Sequence, residues 1–273
     1  MGRRRSSIVL HGLLVLGALV ALLPMAWMVS ASLMSTGEAS SYPPRFLPRQ
    51  VTFEHYRDLF TRLNLGRYLI NSAFIAFTVT AISLFVNSMA GYAFAKLRFR
   101  GRERLFRVLA TGLVIPVQVA MLPLFLLMKQ LGLINTYWGV IIPGLASIFG
   151  IFLIRQYAQS IPDEMLDAAR IDGASEWRIY RSVVVPGIVP ILATLAIWTF
   201  LSTWNDFMWP LIVLSDETRY TLPVALAGLV GEHVQDTELM MAGSVLTVLP
   251  VMLVFLFLQR YYIQGVMAGS VKG

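Results

Sequence analysis

The chain has 273 residues, of which 57% are hydrophobic and only 14% charged, with a mean hydropathy of +0.68. Soluble domains carry roughly a quarter charged residues, so this composition excludes an ordinary water-soluble domain and points to a polytopic membrane protein. The lack of cysteine excludes disulfide frameworks and thiolate metal sites; the net charge of +7 sits largely in short segments beside apolar runs, which is membrane topology and not a nucleic-acid stripe.

Six segments approach the roughly 20 residues that cross a bilayer: 8–33, 68–95, 105–128, 138–156, 184–204 and 239–262. The fold class expected is therefore an all-α integral membrane protein. Arg3–Arg5 ahead of the first segment open like a signal peptide, but the apolar run 8–29 exceeds the usual core of about 7–15 residues, so an uncleaved anchor is expected. Residues 1–33 form the N-terminal tip and first helix. Residues 34–67 are a polar external segment with Pro43, Pro44 and Pro48, followed by an amphipathic stretch at 53–63. It links the first span to the rest, or helps to receive an external partner.

In the second span Ser83 and Asn87 share a stripe, suited to bonding across to another helix or to lining a path. The loop 96–107, KLRFRGRERLFR, reads as a topology anchor on anionic lipid headgroups. Pro116, Pro123 and Pro143 in the third and fourth spans, and Pro250 in the sixth, predict kinks, which serve packing or act as hinges.

The polar stretch 160–187, SIPDEMLDAARIDGASEWRIYRSVVVPG, lies between two membrane-length segments. Ser160 and Asp163 make an S-x-x-D start signal with Pro162 in the first turn. Asp163, Asp167 and Arg170 fall on one helix face; Met165, Ala168 and Ala169 form a small apolar patch on another. Gly173 is placed to end the helix. A second short helix then presents Trp177, Tyr180 and Val184 on one side.

The fifth span closes with Trp204-Asn205-Asp206, followed by Phe207, Met208, Trp209 and Pro210. One reading is a helix terminator within an aromatic belt; the other is a polar mouth for a hydroxyl-rich ligand. Residues 211–238 are acidic and contain an apolar stretch, 222–230, that fits a re-entrant segment or a surface helix. The tail 264–273 is short and rich in small residues, compatible with an extended strand of chain. The thirteen Met and sixteen Phe suit packing and lipid contact.

Orientation follows from the basic residues. With the N-terminus inside, Arg3–Arg5, the six cations of 96–107, Arg155, Arg170, Arg178, Arg181, Arg260 and Lys272 face the cytosol, fifteen in all. Seven face outward: Arg45, Arg49, Arg57, Arg62, Arg67, Lys129 and Arg219. Both termini are then cytosolic. No G-x-x-x-x-G-K-[ST], H-E-x-x-H or G-x-S-x-G motif is present, and His11, His55 and His233 lack metal-like spacing. The chain is expected to hold no catalytic residue, metal or cofactor.

Asp167-Ala168-Ala169, three residues, Gly173, nine residues and Val183-Val184-Val185-Pro186 resemble the EAA loop of bacterial ABC importer permeases, with Asp and Val standing at three positions for Glu, Ile and Leu. The resemblance covers 68–273, and through 139–156, Trp204-Asn205-Asp206 and 265–273 it is closest to sugar-importer permeases similar to the smaller maltose-system subunit. It implies a type I importer fold over 68–262, with 160–187 as a cytosolic coupling loop and 263–273 as a cytosolic tail. It implies ATPase coupling by Asp167, Ala168, Ala169, Gly173 and Pro186, and a translocation path beside Trp204, Asn205, Asp206 and Asn87. Partners implied are a second permease subunit, two cytosolic ATPases that hold ATP and Mg, an external substrate-binding protein and membrane lipid of the bacterial inner membrane; nucleic acid is not among them. A self-contained secondary transporter or channel is the alternative, but it would need paired intramembrane acids in two related halves; a purely structural scaffold leaves the spaced motif unexplained.

Overall fold

The computed structural model describes residues 2–43, 45–232 and 236–270. Among these residues the elements are helical, with no strand. Four helical stretches are long and apolar enough to cross a membrane: Val9–Ala31 within α1 (Gly2–Ala31), α3 (Leu65–Lys96), Tyr137–Ala158, and Thr237–Phe257. Two further bent pairs pass the same test together, Arg102–Val114 with Val117–Gln130 at 106°, and Glu176–Gly187 with Val189–Trp204 at 79°. Six spans result if each bent pair counts as one.

The contacts divide the chain into two units, one of residues 1–67 with 225–250, the other of 68–224 with 251–273. In the first unit residues 34–67 are tied down by polar bonds. Glu238, fully buried at the start of α14 (Thr237–Ser270), accepts from the Ala39 amide at 2.7 Å. The amphipathic stretch forms α2 (Glu54–Thr61) and turns His55 and Leu59 inward. His55 Nε2 bonds the Met34 carbonyl at 2.8 Å, so this histidine is a packed structural group; His233 lies outside the described residues.

In the second unit α3 is tied to its neighbours by hydrogen bonds from several of its polar residues. Asn71 donates to the Thr218 and Tyr220 carbonyls and accepts from the Tyr137 hydroxyl, and Ser72 accepts from the Leu222 amide. Asn87 donates to Ser83 and accepts from the Ser147 amide at 3.0 Å. Backbone and side chains thus satisfy one another where no water is at hand. Against α3 packs α7 (Ile148–Ala158), at a crossing with no room for a side chain on Gly91 or Gly150.

The helix α4 (Arg102–Thr111) lies beside that crossing, held by Arg155, which donates to both oxygens of Glu103 and sits 3.9 Å from the Phe106 ring. Extended Ile115 before Pro116 then turns the chain into α5 (Val117–Gln130). Pro116 therefore makes a sharp corner where a kink was expected, whereas Pro123 and Pro250 sit inside continuous helices. Pro143 lies in a single 3-10 turn between α6 (Tyr137–Ile141) and α7.

The fifth span begins at Val189 and not at 184. Proline at 186 and 190 removes the amide bonds to residues four positions earlier, so the chain passes through a π turn, Tyr180–Val184, and bends at Ile188 before α11 (Val189–Trp204). The tail also departs from expectation: α14 continues as helix to Ser270 where an extended strand was read, since 264–270 contain no proline to stop it.

Candidate functional site: the elbow between the fourth and fifth spans

Two short helices form the elbow, α8 (Asp163–Ile171) and α9 (Glu176–Ile179), the second leading through the π turn into α10 (Val185–Gly187). Ser160 does not cap α8; its hydroxyl donates to the Tyr157 carbonyl behind it, and Pro162 occupies the N-cap position with no side-chain bond. The helix is supported instead by Asp163 and Glu164 in its first turn and Arg170 in its last, which complement the helix dipole. Ser175 caps α9 by accepting from the Arg178 amide.

The inner face of the elbow belongs to the protein core. Leu166, Ile179, Tyr180, Val184 and Ile188 are buried in one cluster with Tyr92, Ile154, Ile191 and Leu195. The outer face stays open, with Met165, Ala168 and the 85%-exposed Ile171 presented beside Asp167. A cleft of about 220 Å³ runs next to it, lined by Ala169, Asp172, Ala174, Arg178, Ser182 and Val183 among others. This is an amphipathic wedge, anchored on one side and exposed on the other.

Charges brace the wedge. Arg170 donates to Asp167 at 2.7 Å and to Glu176 at 2.9 Å, bridging the two helices, and Tyr92 of α3 donates to the second Glu176 oxygen at 2.7 Å. Lys96, with a side chain only 7% exposed, donates to the carbonyls of Gln159 and Ile161 and to Asp163 at 2.6 Å. The Lys96 ammonium holds the Asp163 carboxyl below its ordinary pKa of 3.8. A depressed carboxylate contributes its stabilisation above the ordinary value and loses it as pH falls through the lowered one. Amide exchange across 159–163 is therefore expected to be slow and unchanged from pH 8 to 5, corrected for intrinsic rates; protection is lost only below pH 3.8.

The predicted residues divide in space. Asp167, Ala168 and Ala169 lie on α8 with Gly173 just beyond it, and Pro186 sits in α10 on the far arm of the elbow. Gly173 closes α8 with φ of +78°, as its placement predicted. Trp204, Asn205, Asp206 and Asn87 do not form one site. Asn87 is buried, its amide donating to Ser83 of α3 and accepting from the Ser147 amide just ahead of α7, so it bonds helix to helix. Trp204 is buried against Phe200. Asn205 is exposed and donates to the Leu201 carbonyl; Asp206 accepts from the Trp209 amide in the first turn of α12 (Met208–Val213). Reading by motif missed Tyr92, Lys96, Leu166, Ile171 and Glu176. The one available signal was the i, i+4, i+8 stripe Ser88, Tyr92, Lys96.

Apolar helices long enough to cross a membrane, carrying a braced elbow with one exposed apolar face, define an integral membrane component. The chain belongs to the binding-protein-dependent transport system inner membrane components, whose family matches residues 87–267. It is 38% identical to the arabinooligosaccharides transport system permease protein AraQ of Halalkalibacterium halodurans, over 99% of this chain and 100% of that one. It is 35% identical to the lactose transport system permease protein LacG of Rhizobium radiobacter, over 99% and 98%. Among solved structures it is similar to a chain of a bacterial ABC transporter involved in the import of the acidic polysaccharide alginate, with TM-score 0.82 and 30% identity over 95% of this chain and 97% of that one.

Proposed function

We propose that this chain is one of two permease subunits of an ATP-driven importer of a sugar or sugar derivative, working with two ATPase subunits and an external substrate-binding protein. The observation that carries the reading is the elbow, anchored in the core by Leu166 and Ile179 and open at Met165, Ala168 and Ile171. An exposed apolar face beside Asp167 suits a helix-in-groove contact with an ATPase. The carbohydrate transport named for the relatives supports the substrate class. ATP and Mg belong to the ATPases, and this chain binds no cofactor.

In this reading both termini and the elbow face the cytosol, in keeping with the basic residues. ATPase closure carries the elbow sideways and favours an outward-facing bundle, the state that the loaded binding protein also favours; this shared preference is the coupling. Asn205 and Asp206 flank the path at its outer mouth.

Co-purification from native membranes tests the proposal. An ABC ATPase is expected to come with the wild-type chain, and its absence would leave a self-contained transporter as the better reading. Asp167→Lys, which places a cation beside Arg170 on the docking face, is expected to lower ATPase yield well below that of Asp163→Lys. Equal yields would remove the docking role from Asp167.

A further inference from the structure

We infer that the elbow delivers its motion chiefly to α3, through a three-point clasp formed by Ser88, Tyr92 and Lys96, and not along the chain into α11. The inference rests on the coupling role proposed above and names the residues that transmit it.

The covalent route is poorly suited to transmit force. Between the elbow and α11 lie a π turn, two prolines four residues apart and a 79° bend at Ile188. A joint that lacks two helical hydrogen bonds absorbs rotation, as hinges do. Besides the chain, elbow and α11 are linked by apolar packing of Val184, Ile188, Ile191 and Leu195, which is non-directional.

The route to α3 has the opposite character. Ser88, Tyr92 and Lys96 lie at i, i+4 and i+8, one above another on a single face. Each holds a different part of the elbow. The Ser88 and Tyr180 hydroxyls are 2.6 Å apart, which fixes the π turn. Tyr92 holds Glu176, and through Arg170 the far end of α8. Lys96 takes the entry to α8 by two carbonyls and one carboxylate. Start, end and exit of the elbow are thus pinned to one face. The helix they are pinned to is continuous for 32 residues, about 48 Å at an ordinary helical rise, enough to cross the bilayer. It also carries the close crossing with α7 and the polar bonds of Asn71 and Ser72 at its other end. A displacement of the elbow is then a displacement of α3.

Tyr92 and Lys96 are positioning residues, and the test reads geometry as well as assembly. The chain has no cysteine, so spin labels can be placed in pairs without background. Labels go on Met89 of α3, Arg181 of the π turn and Trp198 of α11, all exposed and outside the clasp. In the assembled transporter, Mg-ATP is expected to leave the Met89–Arg181 distance unchanged within about 1 Å and to shift Arg181–Trp198 by about 2 Å or more. In the Tyr92→Phe, Lys96→Met double variant the ATPase still co-purifies at wild-type yield, but Met89–Arg181 itself becomes nucleotide-dependent. Restoring a cation with Lys96→Arg returns the fixed distance. A Met89–Arg181 distance that moves with nucleotide in the wild type, or a double variant indistinguishable from it, overturns the inference. Failure of the underlying reading has a different signature: no ATPase accompanies even the wild-type chain.

Discussion

Valine in place of Gly91 is expected to remove most of the folded subunit from the membrane, seen as loss of the monodisperse peak of a detergent-solubilised fluorescent fusion. A Cβ at this position would lie 2.5 Å from Ile154 Cγ2, 2.7 Å from Ile154 Cβ and 3.1 Å from the Arg155 amide nitrogen. The last two atoms are backbone or next to it, and Ile154 is fully buried, so no side-chain rotation clears the space. Relief requires α3 and α7 to separate. Separation would in turn stretch the Asn87–Ser147 bond and pull Arg155 from the Phe94 carbonyl. Overpacking by a single methyl costs about 1–3 kcal/mol, and valine adds two carbons more. Set against a total stability of roughly 5–15 kcal/mol, that is a severe loss. Gly91→Ala is expected to be intermediate and to be partly rescued by Ile154→Ala, which removes the nearest clashing atom. Gly228→Ala, with nothing within 4 Å of the added carbon, serves as the control and is expected to accumulate normally. Equal abundance of Gly91→Val and the control would mean that the α3–α7 crossing is looser than described.

That crossing illustrates what a sequence of this kind conceals. The apolar runs announced the spans because bilayer thickness sets a length that composition alone reveals. Pro116 announced a break, since the missing amide is a local property. The size of the turn was not local: 106° depends on where α4 is held, and that is decided by Arg155, 52 residues from its partner Glu103. Val184 and Val185 read as the start of a span for the same reason. Their apolar side chains do enter a core, but the core is that of the elbow, and the proline pair delays the crossing to Val189.

The elbow itself was legible in its outward half and hidden in its inward half. Asp167, Ala168 and Gly173 were found because the spacing along one helix and its exit is written in consecutive residues. The partners that brace that helix are not. Lys96 sits in a run of six cations and reads as one more topology anchor, yet it is the buried member that closes the entry to α8. Glu176 and Tyr92 carry no motif of their own; their bond spans 84 residues. Ser160 misled for the converse reason. Its S-x-x-D spacing is a real local signal, but the preceding helix has unsatisfied carbonyls of its own, and Tyr157 captured the hydroxyl first.

Valine at position 173 is expected to do the reverse of valine at 91: the subunit accumulates and uptake falls about tenfold, equivalent to roughly 1.4 kcal/mol. Nothing lies within 4 Å of a Cβ built on Gly173, so the substitution meets no steric barrier from the rest of the protein. The obstacle is the backbone. Gly173 has φ of +78° and closes α8 by donating its amide to the Arg170 carbonyl while the Ala174 amide reaches Ala169, both at 3.0 Å. An L-residue in this conformation costs about 1–2 kcal/mol, and a β-branched one more. The last turn can escape that strain by unwinding, which releases both bonds and moves Ile171 and Asp172, at the open end of the wedge. The inner face, held by Leu166, Ile179 and the Lys96 contact, keeps the elbow folded onto α3. Asparagine tolerates positive φ better than any other side chain used here, so Gly173→Asn should recover most of the uptake, with alanine between the two. Uptake and ATPase co-purification measured across the series Gly, Asn, Ala, Val at equal subunit abundance check the order. An uptake that tracks side-chain volume instead, with Asn below Ala, would place the defect in a direct collision with the docked partner and not in the helix exit.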